Sequence, residues 1–203
     1  LLIAKAHELR RRGVRVYDYT AGQPGLPPSR DALKYFMEQV LKDPFNHFRY
    51  IPTQGLPELR EAISEDLKKY GRVDVPADQI VITTGGAEAL LLAIYALLDE
   101  GDGILLLDPS YSVYWDQSRW AKLRVEVCTQ SFETGFNPDP ECIKEKLGSR
   151  AKAILFASPD NPTSRVISLE VAKTIVDVAY EKKAWIIYDV AYKHLVYEGE
   201  HVW

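Results

Sequence analysis

The sequence has only two cysteines, and no CxxC pair or neighbouring histidine accompanies Cys128 or Cys142. Neither a zinc site nor a disulfide framework is therefore expected. Long apolar runs are also lacking: the longest covers residues 89–98. A membrane-spanning helix needs about 20 apolar residues, so no membrane partner is expected.

An excess of positive charge is absent as well. The chain of 203 residues has 25 Lys and Arg against 29 Asp and Glu, a formal net charge of −4. Nucleic-acid-binding domains usually carry a basic face, so nucleic acid is not an expected partner. At the N-terminus the apolar residues precede the basic ones, the reverse of a signal peptide. These features are typical of a cytoplasmic enzyme.

The alternation of apolar runs with helical stripes predicts the fold. Helical periodicity begins near Ser29, near Pro57 and after Ser168, and residues 87–98 are apolar nearly all round, which predicts a buried helix. Strand–helix–strand alternation of this kind predicts an α/β fold with a mostly parallel sheet. The predicted strands are Gln79–Thr84, Gly103–Leu107, Leu123–Val127, Ala153–Phe156 and Ala184–Tyr188.

Polar and small residues follow several of these predicted strands. In open α/β sheets, ligands bind outside the carboxyl ends of the strands, so these residues are expected to converge on one edge. They comprise a glycine pair, an aromatic ring, an amide and an acid: Gly85 and Gly86, Tyr111, Asn161 and Asp189.

The residues alone leave two interpretations open. Gly85, Gly86 and Ala87 open a helix, where free amides and the helix dipole suit a phosphate, but a tight turn explains the glycines equally well. Their spacing matches neither a P-loop nor GxGxxG, which disfavours ATP and NAD. Tyr111 is compatible with ordinary packing, and Asp189 with a turn, although a buried carboxylate needs a partner.

Five motifs in order carry a resemblance to a known family. They are Thr20–Pro24, Tyr50–Ala62, Thr83–Leu90, Asn161–Thr163 and Asp189–Tyr192. Together they resemble the pyridoxal-phosphate-dependent aminotransferases of the aspartate-aminotransferase type, over essentially the whole chain. The resemblance implies a three-layer α/β/α fold. It also implies that residues 1–30 form an N-terminal helix and substrate loop, and that residues 31–203 form the front part of the cofactor-binding large domain.

The resemblance implies a set of roles around pyridoxal 5'-phosphate. The amides of Gly85, Gly86 and Ala87 would hold the phosphate, and Tyr111 would stack on the pyridine ring. Asp189 would pair with the ring nitrogen and keep it protonated, because an opposite charge favours the charged form. A protonated ring is the electron sink of this chemistry.

Four further residues receive roles from the same resemblance. Asn161 and Tyr192 would hydrogen-bond the phenolic oxygen of the cofactor, and Gly22 would let the backbone approach the substrate carboxylate. Tyr50 would reach the phosphate bound by a neighbouring subunit. A homodimer with a shared active site is therefore expected.

Two departures from the family pattern stand out. Ser164 follows Asn-Pro-Thr where the family usually has glycine, which predicts strain if that position needs a positive φ. The Schiff-base lysine of the family is expected beyond Trp203, so the resemblance implies no catalytic residue in this chain, which is expected to be inactive alone. Lys193, the lysine nearest Asp189, is expected to be a solvated surface residue.

The leading functional interpretation is transamination between an amino acid and a 2-oxo acid. A lyase or synthase of the same fold and cofactor is an alternative, since the front half does not decide the reaction type. A non-catalytic regulatory module that keeps the cofactor pocket is another. Such modules typically add a basic DNA-binding segment, and none is visible in the sequence.

Overall fold

The structure is a computed structural model that describes residues 2–19 and 26–203. The chain divides into two compact units, Leu1–Ile51 and Pro52–Trp203. This division concerns compactness, so the functional boundary expected after residue 30 stays a prediction. The expected substrate contact at Gly22 lies outside the described residues.

Among its described residues the first unit has three helices: α1 (Leu2–Arg11), α2 (Arg30–Lys42) and α3 (Pro44–His47). Ser29 caps α2, because its side chain accepts a hydrogen bond from the amide of Ala32, so the predicted start of this helix is confirmed. The apolar stripe predicted along α2 is present, but most of its residues, among them Phe36 and Leu41, are exposed.

The second unit alternates helices and strands. None of the helices in the described part of the chain is long and apolar enough to cross a membrane. A π-helical turn (Leu67–Gly71) extends the first helix of the unit, and a short 3-10 turn (Ala77–Gln79) follows it. In chain order the other elements are α4 (Pro57–Asp66), α5 (Gly86–Leu97), β1 (Gly103–Asp108), α6 (Ser112–Trp120), β2 (Arg124–Thr129), α7 (Pro140–Lys146), β3 (Ala153–Ala157), α8 (Leu169–Lys182) and β4 (Trp185–Asp189).

The four strands found in the described part of the chain form one parallel sheet in the order β2-β1-β3-β4. The central strands β1 and β3 are buried nearly throughout, as their apolar sequences predict. Helices α5 and α6 pack against one side of the sheet through Ile94 and Tyr114, and α7 and α8 pack against the other through Ile143 and Ile175. The predicted α/β fold with three layers is confirmed.

The strand predicted at Gln79–Thr84 is wrong. Ile80 has an extended backbone, but residues 80–83 have no strand partner among the described residues. Gln54 satisfies this backbone instead: its carbonyl accepts from the amide of Ile82 at 3.0 Å, and its side-chain Nε2 donates to the carbonyls of Asp78 and Ile80 at 2.6 and 3.0 Å. The β-branched residues favour an extended backbone, but a strand also needs a neighbour to complete its ladder.

The burial predicted for the apolar helix is also wrong. Helix α5 forms as predicted, but only Leu90 and Ile94 within it are buried. Leu92 and Tyr95 are about half exposed, at 49% and 58%. A helix lying on one side of a sheet buries a single face, so apolar residues around its whole circumference do not by themselves ensure burial.

The two cysteines form a disulfide, which contradicts the expectation drawn from their spacing. The sulfurs of Cys128 and Cys142 are 2.10 Å apart, and the Cα atoms are 5.9 Å apart. Cys128 lies near the end of β2, and α7 returns to that strand after a loop. The fold thus brings together two positions 14 residues apart, and spacing alone carries no local signal of this contact.

Candidate active site

The turn before α5 has the features of an anion site. Gly85 caps the helix with φ +80°, which favours glycine. A Cβ atom added to Gly85 or Gly86 would have no atom within 4 Å, so the space in front of both residues is open. An α-helix leaves its first amides without partners inside the helix. The carboxylate of Glu88, in the first turn of the helix, accepts a hydrogen bond from the amide of Thr84.

Asp189 lies at the carboxyl end of β4 and is partly buried. One carboxylate oxygen accepts a hydrogen bond from the amide of Ala191 at 3.0 Å. The other accepts a hydrogen bond from the hydroxyl of Tyr114 at 2.8 Å. These two bonds fix the orientation of a negative charge at the edge of the sheet where ligands bind in α/β folds.

Tyr114 is a residue of this site that the sequence interpretation missed. Its side chain is fully buried in α6. Burial raises the pKa of Tyr114 far above its ordinary value, and the negative charge of Asp189 raises it further. The hydroxyl is therefore protonated at neutral pH and is a donor to Asp189.

A second aromatic ring, that of Tyr111, lies beside Tyr114 at the start of α6. Tyr111, the residue before the helix, contacts Tyr114 edge to face, with ring centroids 5.6 Å apart and planes at 86°. The two rings are three residues apart, one turn of a helix, which places them on the same side. A helix prediction for residues 112–120 would have revealed this pair.

Gln117, one turn further along α6, connects this helix to the glycine turn. Its side chain is 3% exposed, and its Nε2 donates to the carbonyl of Ala87 at 2.6 Å. Ser118 closes the same face by donating to the carbonyl of Tyr114 at 2.7 Å. Helix α6 therefore contacts the glycine turn, the ring of Tyr111 and the carboxylate of Asp189, and so fixes their positions relative to one another.

Comparison with known proteins agrees with this arrangement. The profile of the family described as "Aminotransferase class I and II" matches residues 14–203. The chain belongs to this family. Enzymes of the family use pyridoxal phosphate.

Individual relatives give the extent of the match. The aspartate/prephenate aminotransferase of Thermus thermophilus is 37% identical over 98% of this chain and 51% of its own length. A probable aspartate/prephenate aminotransferase of Aquifex aeolicus is 39% identical over 97% of this chain and 49% of its own length. The chain thus spans about half the length of the curated relatives it matches.

Solved structures show the same relation. The aspartate aminotransferase from Thermus thermophilus with maleate superposes with a TM-score of 0.90 at 35% identity, over 100% of this chain and 52% of that one. The aspartate aminotransferase from Thermotoga maritima superposes with a TM-score of 0.91 at 32% identity, over 100% and 53% of the two chains. The fold of this chain is therefore that of about half an aminotransferase subunit.

The Asn-Pro-Thr motif of the aminotransferase family lies beside Asp189. Ala157 at the end of β3 pairs with Asp189 in the sheet, and the amide of Ser158 donates to the carbonyl of Asp189 at 3.1 Å. The turn that contains Asn161 therefore leaves the sheet next to the end of β4. Within the described part of the chain, the side chains of Asn161 and Tyr192 form no hydrogen bond, so their polar groups are available to a ligand.

Ser164 adopts the left-handed conformation that the family usually gives to glycine. Its φ is +58°, and its amide donates to the carbonyl of Asp160 at 2.9 Å, so the turn keeps its closure. A left-handed backbone costs an L-residue about 1–2 kcal/mol. The expectation of strain at this position is confirmed, and the turn accommodates the strain without opening.

Lys193 differs from its prediction as a solvated surface residue. Its side chain is only 19% exposed, and its amine pairs with the carboxylate of Asp66. The amine also lies 5.0 Å from the ring centre of Trp203. The hydrogen bond from Lys193 lowers the pKa of Asp66. The amine is thus engaged with Asp66 and Trp203.

The remaining predicted contact, Tyr50, belongs to the first unit, and its side chain is fully exposed. The residues of the second unit fit pyridoxal phosphate: open space faces the glycine pair, an oriented carboxylate ends β4, and unpaired polar groups lie on the two neighbouring turns. No group of three or more potential metal ligands occurs in the ranges that the structure describes.

Proposed function

We propose that this chain forms the front part of the cofactor-binding domain of an aminotransferase that moves an amino group between an amino acid and a 2-oxo acid. In this proposal residues 31–203 bind pyridoxal phosphate, and residues 1–30 contribute to substrate binding. The observation that carries the proposal is that one helix, α6, contacts both parts of the site. Its Tyr114 donates a hydrogen bond to Asp189, and its Gln117 donates one to Ala87 in the glycine turn. The family match and the relatives' names support the same reaction.

Each residue has a defined task in this function. The amides of Gly86 and Ala87 hold the phosphate at the start of α5, where the helix dipole favours an anion. Tyr111 covers one side of the pyridine ring and restricts its tilt. Asp189 holds the proton on the ring nitrogen, and Tyr114 keeps that carboxylate oriented.

The neighbouring turns complete the binding of the ring. Asn161 and Tyr192 donate to the phenolic oxygen, which their free polar groups permit. When bound, the cofactor supplies a protonated ring that withdraws electrons from the α-carbon of the substrate. The protein residues orient that ring and keep its nitrogen charged.

The proposed phosphate contact can be tested at Gly86. A Cβ atom added at Gly86 has no atom within 4 Å, so Gly86→Val is expected to fold normally while its methyl groups occupy the space of the phosphate. Pyridoxine 5'-phosphate is the probe, because it lacks the aldehyde that reacts with surface lysines. We expect Gly86→Val to bind it at least about tenfold more weakly, and to bind unphosphorylated pyridoxine unchanged.

Ala96→Val is the matched control, since it places the same side chain at an exposed position near the other end of α5. Calorimetric titration of the parent chain and both variants would measure the affinities. Equal affinity of the parent chain for the phosphorylated and unphosphorylated compounds would argue against the phosphate site. A loss in Ala96→Val as large as that in Gly86→Val would show a general effect on α5.

We further propose a homodimer in which Tyr50 reaches the phosphate bound by a neighbouring subunit. The full exposure of Tyr50 is consistent with a contact outside its own chain. Mixing inactive Tyr50→Ala and Asp189→Ala chains, each extended to the length of the relatives, tests this idea. We expect part of the transaminase activity to return on subunit exchange, because some sites then carry neither change. Complete absence of recovery would show that each subunit is self-contained.

A further inference from the structure

The turn that carries Asn161 is closed by its own hydrogen bonds. The carboxylate of Asp160 accepts from the amide of Thr163 at 3.2 Å and from its hydroxyl at 2.7 Å. The amide of Asp160 donates to the carbonyl of Arg165 at 2.9 Å. These bonds set the shape of the turn. They do not set its position relative to the rest of the sheet edge.

The side chain of Arg165 connects this turn to the loop that follows β2. One terminal nitrogen of its guanidinium donates to the carbonyl of Gly135 at 3.2 Å, and the other donates to the side-chain oxygen of Asn137. The residues joined in this way are 28 to 30 positions apart in the chain. Arg165 therefore makes a long-range tether between two loops.

The loop that receives this tether is well supported. Within it, the amide of Gly135 donates to the carbonyl of Phe132 at 2.9 Å, and that of Phe136 donates to the carbonyl of Ser131 at 2.8 Å. At its start, the amide of Gln130 donates to the carbonyl of Asp108 at 2.6 Å. The disulfide between residues 128 and 142 joins the two elements that flank the loop. The acceptors of Arg165 are thus held in place from both sides.

The surroundings of Arg165 point to a mechanical role. Its Nε atom is buried and has no hydrogen-bond partner, and in the described part of the chain its terminal nitrogens donate to neutral oxygens, a carbonyl and a side-chain amide. A small cavity between the two loops is lined by Arg165, Asp160, Phe136 and Pro138. With space beside it, the Asn161 turn could shift, and the two bonds of the guanidinium oppose that shift.

We propose that Arg165 is a positioning residue that holds the Asn161 turn where Asn161 reaches the phenolic oxygen of pyridoxal phosphate. The proposal rests on the proposed function. It predicts that Arg165 determines how strongly the protein distinguishes a ligand that has this oxygen from one that lacks it. A residue that only supported the fold would affect both ligands alike.

The test compares two probes on the full 203-residue chain: pyridoxine 5'-phosphate, and its analogue with hydrogen in place of the phenolic hydroxyl. We expect the parent chain to bind the first at least several-fold to tenfold more tightly, since one hydrogen bond gives about that much and both Asn161 and Tyr192 are proposed to donate to this oxygen. Arg165→Met keeps the apolar stem of the side chain and removes the guanidinium. In this variant, the ratio of the affinity for pyridoxine 5'-phosphate to the affinity for the analogue should fall toward one, because the contact of Asn161 is lost. The affinity for the analogue should stay within about twofold of the parent.

Variants of Asn137, which accepts a hydrogen bond from Arg165, test the same contact if Arg165→Met folds poorly. Asn137→Leu removes the acceptor and should lower the ratio in the same way. Asn137→Asp keeps an acceptor for the guanidinium and should preserve the ratio. Arg150→Met is the matched control, because Arg150 is an exposed residue paired with Glu145, and it should change neither affinity.

The outcomes separate this proposal from the proposed function. If the parent chain binds neither probe, the proposed cofactor site fails. If the parent chain binds both probes equally, Asn161 has no contact with the phenolic oxygen and the role of Arg165 is overturned. The role is also overturned if Arg165→Met keeps the parental ratio, or if it weakens both probes to the same degree.

Discussion

Asp189→Ala is expected to harm the protein in two separable ways. The hydroxyl of Tyr114 loses its acceptor in a fully buried position, which should lower the free energy of unfolding by about 1–3 kcal/mol. The same change removes the negative charge that would face the pyridine nitrogen. Since hydrogen bonds to charged groups contribute about 1.5–3 kcal/mol, we expect affinity for pyridoxine 5'-phosphate to fall by roughly tenfold to a hundredfold.

A second substitution distinguishes the two effects. Tyr114→Phe removes the hydroxyl that Asp189→Ala leaves unpaired, so the double variant should regain most of the lost stability. It should regain none of the lost affinity, because the charge is still absent. Non-additive stability of this kind is the signature of two groups in direct contact.

Asp189→Asn serves as the matched control, because it removes the charge and keeps an oxygen for the buried hydroxyl of Tyr114. Its NH2 group replaces only the oxygen that accepts from the exposed amide of Ala191, which water can serve instead. We expect its urea midpoint to lie near that of the parent chain and its affinity to lie near that of Asp189→Ala. Parental affinity in both Asp189 variants would remove Asp189 from the proposed cofactor site. Parental stability of Asp189→Ala would show that the buried hydroxyl finds another acceptor.

The sheet could be predicted from the sequence because its central strands are buried on both sides. Strands β1 and β3 consist almost entirely of apolar residues, and such runs between helical stripes are typical of parallel sheets. Ser168 marked the start of α8 for a local reason: its side chain caps the helix by accepting from the amide of Val171. Buried strands and capped helix starts could thus be predicted, because each depends on only a few consecutive residues.

Features that depend on distant partners could not be predicted in the same way. Residues 80–83 have the composition of a strand, but Gln54, which lies far from them in the sequence, supplies their hydrogen bonds. The bond between Tyr114 and Asp189 spans 75 positions. The sequence of α6, SVYWDQSRW, shows no apolar stripe, because the face that it buries includes Tyr114, Gln117 and Ser118. Buried polar residues therefore concealed both the helix and its role.

The contact between Cys128 and Cys142 also could not be predicted from the sequence, because the fold brings the two residues together. Their disulfide is expected to have a large effect on the stability of the protein. Reduction of the bond between Cys128 and Cys142 should lower the free energy of unfolding by about 3 kcal/mol, the value for a closed loop of about 15 residues. The main reason is that the bond restricts the unfolded chain. A dithiol such as dithiothreitol supplies the two electrons, forming two protein thiols and a cyclic disulfide from the reagent.

Urea unfolding with and without the dithiol would measure this difference. The variant with both Cys128→Ala and Cys142→Ala is the control: it should resemble the reduced protein in stability and should not respond to the dithiol. Alkylation of the urea-unfolded protein, followed by mass spectrometry, gives an independent readout, since cysteines in a disulfide do not react. If both cysteines of the untreated protein are alkylated, the bond is absent in solution. If the bond is present but its reduction leaves the urea midpoint unchanged, loop closure does not stabilise this fold, and the bond would then serve only to join β2 to α7.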